Sequence, residues 1–172
     1  MPRRSFTRRS GYRDSRLIVI ASEGTRTEPA YFEALRDYLL TSPSRVHVEV
    51  LRREPGSPSA PEYVIEQLDS FKRSWKLSSD DELWAVIDYD RWGEAKLSTV
   101  ATAASQKSYH LAISRPCFEV WRLLHFEDLS LLPAVDREAL DQGGCDAITK
   151  RVRQACGACG KNMGDVYNEP RY

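Results

Sequence analysis

Short apolar runs alternate with longer amphipathic stretches along this chain. Leu17–Ala21 is a β-branched apolar run behind a charged segment, which predicts a buried strand. Ser22–Glu28 is a polar loop with one glycine. Pro29 suits the first turn of a helix, where its missing N–H costs nothing. Tyr31, Phe32, Leu35, Tyr38 and Leu39 recur at helical spacing, so Pro29–Leu40 reads as an amphipathic helix. Val46–Leu51 alternates and predicts a second strand, and the prolines of Arg52–Pro61 predict a loop. Glu62–Lys76 places Tyr63, Val64, Leu68, Phe71 and Trp75 on one helical face. Leu83–Ile87 reads as a third strand ending on Asp88, Glu94–Lys107 as a helix, and Leu111–Ile113 as a short fourth strand within Tyr109–Ser114. Cys117–Phe126 again has helical spacing, through Phe118, Trp121, Leu124 and His125.

Strand and helix alternate four times. That order predicts an α/β fold of three layers, with a mainly parallel central sheet and right-handed crossovers. Residues 1–15 form a basic arm and residues 16–133 the α/β domain. Residues 134–172 form a helical or irregular extension, because Ala139–Lys161 has few large apolar residues, two glycine clusters and three cysteines.

Composition changes this picture only locally. Twenty-five basic and 25 acidic residues cancel, which argues against capture of nucleic acid by the field of the whole molecule. The charges are uneven, however: Arg3, Arg4, Arg8, Arg9, Arg13 and Arg16 stand near the start against one acid, Asp14. Such an arm contacts phosphates or is a plain solvated terminus. It is expected to be mobile over Met1–Tyr12, since it buries little against the entropy of ordering. No apolar run reaches the ~18 residues of a membrane span, and Leu17–Ala21 is too short for a signal-peptide core. The expected location is cytoplasmic, where cysteines are free thiols or a metal clip rather than disulfides.

In open α/β sheets, functional groups collect at the carboxyl ends of strands. Glu23 follows the first strand, Asp88 closes the third, and Asp90 points the same way two positions on. If those strands are neighbours, three carboxylates converge, and a hard divalent cation such as Mg²⁺ or Mn²⁺ would relieve their repulsion. A metal so held polarises a phosphodiester and activates water. The bland alternative is that strand-end acids cap helices or sit in solvent.

Three blocks carry a resemblance. Ser22-Glu-Gly-Thr-Arg-Thr-Glu-Pro-Ala-Tyr-Phe32, Val86-Ile-Asp-Tyr-Asp-Arg91 and Ser114-Arg-Pro-Cys-Phe-Glu-Val-Trp-Arg-Leu-Leu-His-Phe126 resemble, in order, the RloB family of prokaryotic restriction and phage-defence loci. The first two blocks are also similar to the TOPRIM pattern of topoisomerases, primases and OLD-type nucleases. The resemblance implies a TOPRIM-like Rossmannoid fold and a metal-dependent nuclease acting on DNA or RNA as a defence effector, commonly beside a partner ATPase. It implies Glu23 as ligand or general base, and Asp88 and Asp90 as metal ligands. Glu28 would serve a second metal, and Glu119 matches the acid of the third block. Two departures stand out: Arg115 occupies the place of the family's asparagine before Pro116, and the chain diverges after about Pro133. A shortened member would be inactive alone or would need a partner to complete its site.

Other residues leave alternatives open. Arg26 and Arg91 lie in the loops that carry the acids and are preferred as phosphate contacts; the alternative is neutralisation of the acids themselves. Arg115 shares both readings. His125 is a core histidine satisfied by a hydrogen bond, or an acid–base and phosphate-binding group. Tyr89 and Trp92 stack on a base or pack in the core, and Thr25 and Thr27 cap the following helix. Cys156-Gly-Ala-Cys159, with Cys145 upstream, is one pair where a zinc site typically needs two. There is no Gly-x-x-x-x-Gly-Lys, so the chain is not itself a Walker NTPase. Beside the nuclease stand two further readings: a non-catalytic module that docks on a partner ATPase, and primase-type nucleotidyl transfer. Oligomeric state stays open, a homo-oligomer included. Deleting residues 1–12 is expected to weaken nucleic-acid binding and flatten its salt dependence; an unchanged slope in a salt titration removes the arm from the interface.

Overall fold

The computed structural model describes residues 15–40, 45–54, 56 and 58–156. The Met1–Tyr12 arm and Cys159 lie outside them. Four strands, β1 (Arg16–Ser22), β2 (Val46–Leu51), β3 (Glu82–Asp88) and β4 (His110–Ser114), form one sheet in the order β2-β1-β3-β4. Every neighbouring pair is parallel. Helices α1 (Thr27–Leu39), α2 (Pro61–Ser74) and α3 (Glu94–Gln106) follow the first three strands. The short helix α4 (Glu119–Leu123) follows β4, and α5 (Ala134–Gln142) and α6 (Gly144–Cys156) complete the described chain.

Side-chain alternation along the strands divides the core in two. Leu17, Val19, Ala21, Leu83, Ala85 and Ile87 point to one face, where they pack on Val64, Ile65 and Leu68 of α2 and Leu97, Val100 and Ala104 of α3. Ile20, Val86 and Ala112 point to the other face and meet Tyr31, Phe32 and Leu35 of α1 together with Phe118. The result is the expected three-layer Rossmannoid. A one-residue register slip would exchange the two faces, so the pattern of apolar positions also sets the pairing.

Helix ends follow local chemistry. α2 begins on Pro61, has Glu62 in its first turn and carries Lys72 and Arg73 in its last, each charge placed to favour the helix dipole. Pro61 is therefore the first helical residue rather than the end of the loop. The stretch Cys117–Phe126 is helical only over Glu119–Leu123, with turns to either side.

Residues 134–156, expected to be helical or irregular, form two helices. α6 lays Ile148 and Val152 against Leu123 of α4, with Leu129, Leu140 and Ala155 around them, in a small core separate from the sheet. Gly144 joins α5 to α6 at φ +61°, a left-handed conformation that favours glycine. Among the described residues no helix is long and apolar enough to cross a membrane. Leu68 is fully buried and Leu131 is 81% exposed. Leu68→Ala is expected to lower unfolding free energy by roughly 2–5 kcal/mol in a urea titration, and Leu131→Ala by no more than about 0.5 kcal/mol.

Candidate functional site

The path of the chain through the sheet decides where the acids meet. From β1 it moves outward to β2, then crosses back to β3 on the other side of β1. The carboxyl ends of β1 and β3 therefore flank a topological switch point, the place where open α/β sheets open a crevice. Ser22 is in register with Val86, and the Glu23 N–H continues the ladder to the Val86 carbonyl at 3.1 Å. Glu23 thus leaves β1 alongside the last turn of β3, two residues before Asp88.

Glu23 is 5% exposed and turns inward rather than standing in the opening. Its Oε2 accepts the Trp92 indole N–H at 2.9 Å and the Asp88 backbone N–H at 3.4 Å. Arg91 Nη1 lies 3.6 Å from its Oε1, while Arg53 donates to its backbone carbonyl. Oε1 is buried without a hydrogen-bond donor among the described residues. A buried carboxylate oxygen without a hydrogen bond is costly, and the Arg91 guanidinium is the charge that offsets it here.

Above Glu23 a cleft of about 360 Å³ is lined by Glu28, Asp88, Asp90 and Glu119, with Arg26, Arg91, Gly24 and the sulfurs of Cys117 and Cys145 among its walls. Glu28 sits in the first turn of α1 and is buried. Its carboxylate receives backbone N–H groups of Gly24 and of Glu28 itself. A side chain at position 24 would overlap that carboxylate, which explains the glycine after Glu23. The N-cap of α1 is Arg26, with no side-chain cap bond, so Thr25 and Thr27 do not cap this helix. A larger hollow of about 1040 Å³ lies at the amino edge of β3 and β4, around Asp81, Lys107 and His110. It lies at the far edge from the switch point, whereas the smaller cleft gathers four carboxylates beside the carboxyl ends of β1 and β3.

Burial and the crowding of like charge act together on these acids. Burial first, then the charges of Glu28, Glu23, Asp90 and Glu119, push the Asp88 carboxyl up to about 7. Glu28 is raised for the same reasons, burial first and then Glu119 and Glu23. Repulsion among the acids is present as expected, yet desolvation is the larger cause. The donors are carboxylate oxygens, the set that suits a hard divalent cation. Among the described residues, however, no three His, Cys, Asp or Glu side chains stand at the spacing of a preformed metal cage.

The arginines divide. Arg26 is exposed on the cleft wall, and Arg91 is exposed but reaches back to Glu23. Arg115 lies over the Tyr89 ring at 4.9 Å and pairs with Asp141 at 3.4 Å. Trp92 packs against the main core with Lys96 over its ring, and its N–H fixes Glu23. His125 is not part of the cleft wall; its Nε2 is 2.8 Å from the Tyr31 hydroxyl, and partial burial lowers its pKa. Trp92 as the holder of Glu23 was not legible from spacing, because the two residues are 69 positions apart. Arg122, buried on α4 beside the charge of Glu119 and lowered by burial, had no signal beyond its place in the third sequence block.

The cysteines correct the expectation of free thiols or a metal clip. Cys117 and Cys145 form a disulfide with Cα atoms 5.7 Å apart, and Cys156 is also disulfide-bonded. The turn after β4 and the start of α6 meet across the cleft wall, a proximity that a separation of 28 residues does not reveal.

This is a doubly wound α/β protein with an acidic crevice at its switch point. A family model described as RloB-like protein matches residues 18–164, and the chain belongs to that family. No curated protein and no solved structure matches it.

Because the Asp88 pKa is raised, the folded chain holds this proton more tightly than the unfolded chain. The stability that results is fully present below about pH 4 and is lost as pH rises through about 7. In metal-free buffer, Asp88→Asn should raise the melting temperature at pH 8 and leave it nearly unchanged at pH 4. Trp92→Phe, which strips a donor from Glu23, should cost about 1–3 kcal/mol in denaturant unfolding.

Proposed function

We infer that the chain is a Mg²⁺- or Mn²⁺-dependent nuclease, hydrolysing phosphodiester bonds of DNA or RNA as the effector of a prokaryotic defence system with a partner ATPase. The observation that carries this reading is the convergence of Asp88, Asp90, Glu28 and Glu119 in one cleft above the buried, incompletely bonded Glu23. Asp88, raised by burial and then by four neighbouring acids, is in the arrangement that a divalent ion relieves. The order of acids, one after the first strand and two at the end of a neighbouring strand, is also that of the TOPRIM pattern.

Asp88, Asp90, Glu28 and Glu119 would hold the metal, with Glu23 joining through Oε1, the oxygen that Arg91 faces without a hydrogen bond. When bound, the ion would polarise a phosphodiester and lower the pKa of water. The chain's own residues supply the rest. Trp92 and the Asp88 N–H keep Glu23 in one orientation. Arg26 and Arg91 offer bidentate donors to a phosphate at the rim. Asp88, with a pKa near neutrality before metal binds, is placed to give up a proton as the ion arrives.

The test is incubation of the purified chain, with and without its partner ATPase, with DNA and RNA in Mg²⁺ or Mn²⁺. Asp88→Asn should abolish metal-dependent cleavage while the circular dichroism spectrum stays native, because a half-exposed strand-end group carries little packing. Absence of cleavage and of ion binding at millimolar concentration would leave a docking module as the better account.

A further inference from the structure

Two sulfurs in the wall of an acidic cleft are not required by hydrolysis. Cys117 lies three residues past the end of β4, is 2% exposed, and precedes Phe118, which is 1% exposed in the second core. Its position is therefore set by the sheet. Cys145 lies in the first turn of α6, less buried, and the same helix is held to α4 through Leu123, Ile148 and Val152. The disulfide joins these two anchored elements and leaves Cys145 Sγ 2.8 Å from Asp90 Oδ2. A disulfide sulfur has no proton to donate. In the bonded state this approach is therefore sulfur laid directly on a carboxylate oxygen, covering it on that side. As a thiol, Cys145 either donates to the same oxygen or rotates about its Cα–Cβ bond and clears it.

We propose that the Cys117–Cys145 pair is a redox switch on the acidic cleft: the disulfide holds the Cys145 sulfur over Asp90 and obstructs divalent-ion binding, and reduction frees the carboxylate. This rests on the metal-binding reading of the cleft. A dithiol reductant would drive the change. Its first thiolate attacks Cys145, the more accessible sulfur, and Cys117 leaves as a thiolate that takes up a proton. The reductant's second thiolate then displaces Cys145, which is protonated in turn. Two electrons pass to the protein, the S–S bond becomes two thiols, and the dithiol becomes a disulfide. Because α6 stays docked through its own apolar contacts, the change is confined to the Cys145 side chain and the carboxylate beneath it. In a reducing compartment the cleft is open, and oxidation closes it.

The test uses the full chain in two states, air-oxidised and phosphine-reduced, with the state of Cys117 and Cys145 established by maleimide labelling and peptide mass. Mn²⁺ binding is followed by loss of the free-ion paramagnetic resonance signal. The reduced chain should bind on the order of tenfold more tightly, the scale on which neighbours of metal ligands act. Cys145→Ser should bind like the reduced chain whether or not it has been exposed to oxidant, which separates this pair from the effect of Cys156. Equal affinity in the two states, or Cys117 and Cys145 labelling as thiols after oxidation, overturns the switch and leaves the metal site standing. Absence of Mn²⁺ binding in both states overturns the metal reading and the switch with it.

Discussion

The parallel pairing of β1 with β3 is the constraint on which the site depends. It is a register as much as a contact. With Ser22 opposite Val86, the backbone of Glu23 bonds to β3 and its side chain lies under the turn that carries Asp88 and Asp90. A shift of one residue would turn Glu23 to the opposite face and at the same time move Val19 and Ala21 out of the larger core. Burial of apolar side chains therefore enforces the position of the acids. The core contributes the free energy that the crowded carboxylates spend.

That opposition is visible in how each acid is treated. Glu23, the most buried of the acids, has the indole of Trp92, the Asp88 N–H and the nearby Arg91. Glu28 draws on the Gly24 N–H and on its own N–H in the first turn of α1, where the helix dipole also favours a negative charge. Asp88 has four acidic neighbours acting on it and titrates near neutrality. The cleft is thus graded, with a hydrogen-bonded glutamate at its base and the raised carboxyl of Asp88 among the acids that line the opening. A rigid base with a charge-hungry mouth is suited to a ligand that brings positive charge.

The extension after β4 matters more to this cleft than its weak pattern suggests. α6 reaches the cleft wall through Cys145 while its apolar side closes a separate small core on α4. Glu119, on α4, is fixed by the same packing. One part of the wall is therefore built by Cys117, Phe118, Glu119 and Cys145, and the placement of Glu119 depends on helices outside the alternating part of the fold.

Local pattern carried the four strands, the helices α1, α2 and α3 and the strand-end acids, because a period of 2 or 3.6 and an apolar run are properties of neighbouring residues. Strand ends came within a residue or two of those observed; Val46–Leu51 has the same bounds in both. The amphipathic face of α6 rests on only Ile148 and Val152, too few to stand out among polar neighbours and glycines. What the tertiary structure alone decided is which distant residues touch. Trp92 on Glu23, His125 on Tyr31 and Cys117 on Cys145 join positions 28 to 94 residues apart. No periodicity encodes such pairs. They follow from strand order and helix docking, which are settled by the burial of the whole apolar surface at once, so the acids could be named from the sequence while their supports and walls could not.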